Sequence, residues 1–175
     1  MPKMNRKAER EAWTAFVENQ AAGASAPMRP TSINFTVECK PAPQGSMSGV
    51  AITRDDGSPG TIFKADNKRT HPYRNQVGFE ALRARAAAGV HDVFAPAETP
   101  VRLGLTFFFS RPKSAPKSRV YPVVKPDYDK LARSTTDALT GILYADDCQV
   151  VSCEINKFYG EPERVQISAA IVKDY

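Results

Sequence analysis

The sequence predicts an α+β fold, a single domain in which a mainly antiparallel β-sheet packs with two main helices. Three observations carry that expectation. Apolar and polar residues alternate with period two in several short stretches, most plainly "VRLGLTFFF" at 101–109. Helical spacing of apolar residues appears in two others, one following Pro72 and one at 129–140. The closing segments "QVVSCEINKFY" and "RVQISAAIV", separated by "GEPE", have the pattern of an antiparallel hairpin. At 175 residues and 42% apolar content, the chain suits one ordinary domain and not two.

Taken in order, residues 3–20 carry Ala8, Ala12, Trp13 and Phe16 at near-helical spacing and lead into the loop-like "AAGASAPMRPTS". Residues 1–32 are therefore expected to be a helical or flexible extension, and 33–175 the domain proper. "INFTVEC" alternates Ile33, Phe35, Val37 and Cys39 as a half-buried strand and stops at "KPAPQG". "GVAIT" and "TIFKA" flank the turn "RDDGSPG" and predict a hairpin. A helix is expected to start soon after Pro72, to pack through Val77, Leu82 and its alanines, and to end at Gly89. Strand 101–109 follows, then "SRPKSAPKSRVYPVVK", whose five bases and three prolines describe a positively charged loop. The second helix covers 129–140 and is stopped by Gly141.

Composition excludes several functions. No apolar run is long enough to span a bilayer and the charged "MPKMNRKAEREAW" is unlike a signal peptide, so a soluble, cytoplasmic protein is expected. Cys39, Cys148 and Cys153 form no C-x-x-C pair and argue for neither a disulfide framework nor structural zinc. His71 and His91 do not suggest a catalytic triad. The formal net charge is +5, yet residues 126–163 carry a net −5. A basic body surrounding an acidic focus is what a metal-dependent nuclease requires, although chance clustering also produces it.

Within "DYDKLARSTTDAL", Leu131, Thr135, Ala138 and Leu139 form the stripe that packs on the sheet. Asp129, Arg133 and Asp137 recur every four residues on the opposite, ionic face, because two residues along a helix rotate the side chain by about 200°. Acids at a helix start gain about 0.3–1 kcal/mol from the helix dipole, and Asp129 with Arg133 is a candidate helix ion pair. Those terms leave "ADDCQVV" unexplained, where Asp146 and Asp147 precede an apolar strand. A helix, a turn and a strand can return the strand's first residues beside the helix. Carboxylates gathered there repel one another unless a cation intervenes. Hard oxygen donors with few histidines select Mg²⁺, with Mn²⁺ as a substitute, and such an ion supports phosphodiester hydrolysis.

"KPDYDKLARSTTDALTG" and "YADDCQVV" resemble, in order and spacing, the motifs of the RusA-type Holliday junction resolvases, crossover junction endodeoxyribonucleases common in bacteriophages and prophages. The family pattern runs D-x-D-N-L-x-K, D-A-L, a glycine-containing link and D-D-x-Q-V. Upstream, "KPAPQGSM" and "DNKRTHPYRNQV" are similar to its proline-rich basic loop and its lysine-rich approach to a helix, so the resemblance extends over residues 33–172. It implies a RusA-like fold, a homodimer, and cleavage of paired strands of a four-way DNA junction, for recombination and repair. It also implies that Asp127, Asp129 and Asp147 are the metal-binding catalytic carboxylates, with Asp137 and Asp146 in support. The family's helix lysine falls on Arg133, which keeps the charge but does not readily give up a proton. Its asparagine is Lys130.

DNA-binding bases are expected at Lys64, Lys68, Arg69 and Arg74 before and within the first helix. Others are expected at Arg111, Lys113, Lys117, Arg119 and Lys125 on the charged loop, and at Lys130. Tyr73 is expected in the core rather than against a DNA base. Two rival readings stand beside junction resolution: a nuclease of the same fold acting on forks or flaps, and a DNA-binding relative that does not cut.

Overall fold

The structure, a computed structural model, describes residues 29–45, 47–65 and 67–173, with the side chains of 47, 48 and 63–65 left aside. The helix expected at 3–20 and the side chain of Lys64 lie outside what is described. Six strands and two principal helices follow in the order β1 (Ser32–Val37), β2 (Met47–Thr53), β3 (Pro59–Ala65), α1 (Thr70–Ala87), β4 (Val101–Phe109), α2 (Tyr128–Leu139), β5 (Val150–Tyr159) and β6 (Arg164–Ile171). A short 3₁₀ helix, Asp147–Gln149, precedes β5.

The period-two strands bury the faces that their patterns predict. On β4, Val101, Leu103, Leu105, Phe107 and Phe109 are all buried, and β6 adds Val165, Ile167 and Ala169. Against this face α2 buries Leu131, Thr135 and Leu139, with Ala138 half-buried, while Ser134 is buried as well. From α1 come Tyr73, Val77 and Ala81, but Leu82 is 43% exposed and plays no part in the core. The helix begins at Thr70, two residues before Pro72. Pro72 sits in the first turn, where its missing N–H costs no hydrogen bond. Tyr73 is buried, its hydroxyl 2.8 Å from Thr135 Oγ1, which ties α1 to α2.

The sheet differs from the predicted arrangement in one respect. Its order is β1-β6-β4-β5, so β5 and β6 are not a hairpin: β4 stands between them, antiparallel to β6 and parallel to β5. The "GEPE" segment crosses the end of β4, with Gly160 N–H donating to Phe109 O at 2.9 Å. A side chain at 160 would meet the Phe108 ring at 2.9 Å, so the crossing passes close enough to require glycine. Period two fixes which face of a strand is buried but not which strand lies beside it. Parallel β4 and β5 need a long crossover, and residues 110–149, including α2, supply it. The sheet is thus mixed and mostly antiparallel. The predicted β2–β3 hairpin forms as a separate two-stranded sheet, with Val50 paired to Ile62.

Candidate active site

The crossover between β4 and β5 carries every carboxylate of the acidic focus up to Asp147. Asp127 is the residue from which α2 starts, with extended backbone (φ −68°, ψ 140°) and its carbonyl accepting from Leu131 N at 3.1 Å. Its carboxylate makes no capping bond to the helix. Capping is the ordinary structural use of aspartate at that position, and here it is not taken up. Instead Lys130 Nζ stands 3.7 Å from Asp127 Oδ2, both side chains about half-exposed. Asp129 is exposed, and the ion pair conceivable with Arg133 is not among the salt bridges of the described residues.

The adjacent pair Asp146 and Asp147 is divided by local geometry. Asp146 caps the 3₁₀ helix: its Oδ1 accepts from Cys148 N at 2.9 Å, and its own N–H donates to Gln149 Oε1 at 3.0 Å. The bond from the Cys148 backbone holds the Asp146 carboxyl below its usual range. Gln149, buried, donates in turn to Pro96 O and Thr99 O. Asp147 is exposed; its carbonyl accepts from Val150 N–H at the end of the 3₁₀ helix, but its carboxylate caps nothing. Asp137 is engaged too, pairing with Arg74, whose guanidinium also reaches Gln44 Oε1.

Asp127 and Asp129 share one groove with Tyr128 and Lys157. The Lys157 ammonium donates to Pro126 O at 2.7 Å and Val124 O at 3.1 Å, holding the segment that leads into α2. Burial lowers its pKa, and the neighbouring Asp127 charge partly opposes that shift. Sequence reasoning missed Lys157, whose only signal is a lone base in an apolar strand beyond the acidic motifs. Asp147 does not line that groove. Its charge acts on buried Tyr144, whose hydroxyl donates to Thr136 O. Among the described residues no group of three or more His, Cys, Asp or Glu side chains is placed to hold a metal ion. The donor chemistry of Asp127, Asp129 and Asp147 suits Mg²⁺, but this arrangement does not gather the three carboxylates around one ion.

The predicted DNA-binding bases fall into two sets. Arg69, Lys125 and Lys130 line a cavity of about 550 Å³ beside Asp127, joined by Lys40, which sequence reasoning did not single out. Lys68, Lys113 and Lys117 are exposed, as is Arg133 on α2, and Arg119 is half-buried. Arg74 and Arg111 are occupied within the fold. Arg111 donates to Pro116 O and Arg119 O and lies over the Tyr159 ring at 4.7 Å, clasping its own loop.

Two comparisons bear on this arrangement. The family model described as endodeoxyribonuclease RusA matches residues 56–169, a span that includes both acidic motifs. A Bacillus subtilis (strain 168) protein named "Uncharacterized protein YqaN" is 28% identical over 145 residues, covering 77% of this chain and 93% of that protein.

Proposed function

The chain belongs to the endodeoxyribonuclease RusA family, and from that premise we propose that it resolves four-way DNA junctions by hydrolysing one phosphodiester in each of two symmetrically placed strands. The observation that carries this reading is the division of the acids. Asp146 and Asp137 are spent on a cap and on a part-buried ion pair, whereas Asp129 and Asp147 are exposed with neither, and Asp127 caps nothing and has only the long, solvent-exposed contact with Lys130. Burying none of these charges costs the fold little, and it leaves them open to solvent and ligand.

Lys125, Lys130 and Arg69 supply positive charge beside Asp127, and Arg133 adds a cation one helical turn from Asp129. These side chains would hold backbone phosphates against an otherwise repulsive carboxylate site. Lys157 holds the Val124–Pro126 carbonyls and so fixes the direction from which Asp127 is presented. Mg²⁺ dependence, with Mn²⁺ substituting, belongs to the proposal on donor chemistry alone. A homodimer belongs to it on symmetry, since a four-way junction presents two equivalent strands to two equivalent subunits.

The test is a parallel titration of junction, fork, flap and linear duplex with and without EDTA. Junction cutting that requires the divalent ion, and Asp129→Asn protein that binds the junction without cutting, are the expected results. Equal cutting by Asp129→Asn overturns the site assignment, and equal cutting of forks or flaps moves the substrate to other branched DNA. That no group of three or more His, Cys, Asp or Glu side chains among the described residues is placed to hold a metal ion favours a second reading, a DNA-binding relative that does not cut. Salt-sensitive junction binding with no cleavage in Mg²⁺ or Mn²⁺ would establish it.

A further inference from the structure

The cavity of about 550 Å³ beside Asp127 is unlike an electrostatic groove for a DNA backbone. Its interior is apolar, with Ala42 and Phe109 buried in its wall and Pro41 and Pro122 buried beside them. Four cations, Lys40, Arg69, Lys125 and Lys130, and two carboxylates, Asp127 and Glu163, stand around it; Lys40 pairs with Glu163 at 3.3 Å and Lys130 with Asp127 at 3.7 Å, so the rim keeps an excess of two positive charges, at Arg69 and Lys125. The volume is in the range of sites that enclose a small organic molecule, roughly 300–1,000 Å³.

The walls are fixed before any ligand arrives. Pro43 O accepts from Asn67 Nδ2 at 2.9 Å and from Thr70 Oγ1 at 2.8 Å, and Gln44 N donates to Lys130 O at 2.9 Å. These bonds join the loop after β1 to the start of α1 and the first turn of α2. The proline-rich loop has few backbone N–H groups of its own to satisfy, so it forms a wall without strand partners. Segment 122–127 separates this cavity from the groove of Asp129 and Lys157, and Asp127 lines both.

An occupant must therefore be apolar and flat enough for a proline- and aromatic-lined interior, and anionic where it meets the rim. A stacked base pair does not meet that description, whereas a single unpaired nucleotide does. At a branch point every base is still paired, but the stack is interrupted on one side of the pairs that flank the crossover, so a base there leaves the helix at lower cost than one inside a continuous duplex. Resting on the junction-cleaving reading above, we propose that this cavity receives one base from the pairs that flank the crossover, extruded beside the phosphate to be cut, while the rim cations hold the flanking phosphates. Structure selectivity then arises because extruding a base from a continuous duplex costs two stacking contacts as well as a pair, whereas at the crossover one of those contacts is already missing.

The test places 2-aminopurine at each nucleotide flanking the cut site of a four-way junction and follows its emission in EDTA, where cutting is blocked. Wild-type protein should raise emission several-fold at one position. Ser110→Trp and Pro112→Trp, at two exposed positions that line this cavity and not the Asp129 groove, place bulk in the cavity from outside the core. Both should abolish the rise and weaken junction binding by about ten-fold, the scale of one base contact. An abasic nucleotide at the responsive position should restore binding to the filled variants. No rise at any position, the same rise in both filled variants, or no abasic rescue overturns the proposal. Wild-type protein that cuts junctions while every base stays stacked overturns the base pocket alone; protein that neither binds nor cuts overturns both readings.

Discussion

Neighbouring aspartates at 146 and 147 differ because only the first has extended backbone and a free helix start to cap. The Asp146 pKa lies below the ordinary 3.8, chiefly through the Cys148 backbone bond, so its carboxylate form is favoured in the folded state. Its contribution to stability is present above the unfolded value and is lost as pH falls through the lowered folded value. Asp146→Asn keeps a capping side chain but cannot titrate, so denaturant midpoints measured downward from pH 5 should fall less steeply than those of wild type. Gln149→Ala leaves Pro96 O and Thr99 O short of a donor and should cost about 1–3 kcal/mol in urea unfolding. Arg74 and Lys125 separate in the same way. Arg74→Ala should lower stability through loss of the Asp137 and Gln44 bonds, whereas Lys125→Ala should leave stability unchanged, weaken DNA binding and reduce the salt slope by about one. The sequence showed the types of these residues and their spacing. Which bases were already paired depends on partners such as Asp137, 63 positions from Arg74, that no local pattern names.

Helices and strands were legible where their periodicity was strong. α2 was expected at 129–140 and spans Tyr128–Leu139, because its apolar stripe is unbroken and Gly141 takes a positive φ of 77° just beyond it. Gly141→Ala should accordingly cost about 1 kcal/mol or more by thermal or urea unfolding, since a Cβ is disfavoured at that backbone angle although nothing crowds it. α1 was less legible: it is rich in alanine and charge, Phe79 and Leu82 are exposed, and the proline taken as a starting marker lies inside its first turn. The β5–β6 pairing failed for another reason. Two alternating strands joined by four residues satisfy a hairpin pattern equally well whether they pair with each other or straddle a third strand. β4 has buried residues along its whole length and hydrogen-bonding edges on both sides, and it takes the central position.

Across the whole molecule, the two tyrosines that join the helices to their surroundings couple stability to alkaline pH. Burial raises the pKa of Tyr73 and of Tyr144, with the charges of Asp147, Cys153 and Asp137 adding to the second. Raised folded values mean that stability is fully present below the unfolded value near 10 and declines as pH rises through it. A denaturation series from pH 8 to pH 11 should show that decline, and Tyr73→Phe should reduce its slope while losing the Thr135 bond. The sequence by itself determined the α+β class, the buried faces of β1 and β4, the span of α2, and the motif order that the RusA family model also matches. These are properties of short windows, in which side-chain direction repeats with the backbone. Tertiary structure alone decided that β4 separates β5 from β6, that Asp146 caps while Asp147 stays free, that Lys157 faces Asp127, and that a proline-walled cavity adjoins the acids. Each of those depends on groups far apart in the chain, whose meeting is set by competition for one core and for a limited set of hydrogen-bond partners.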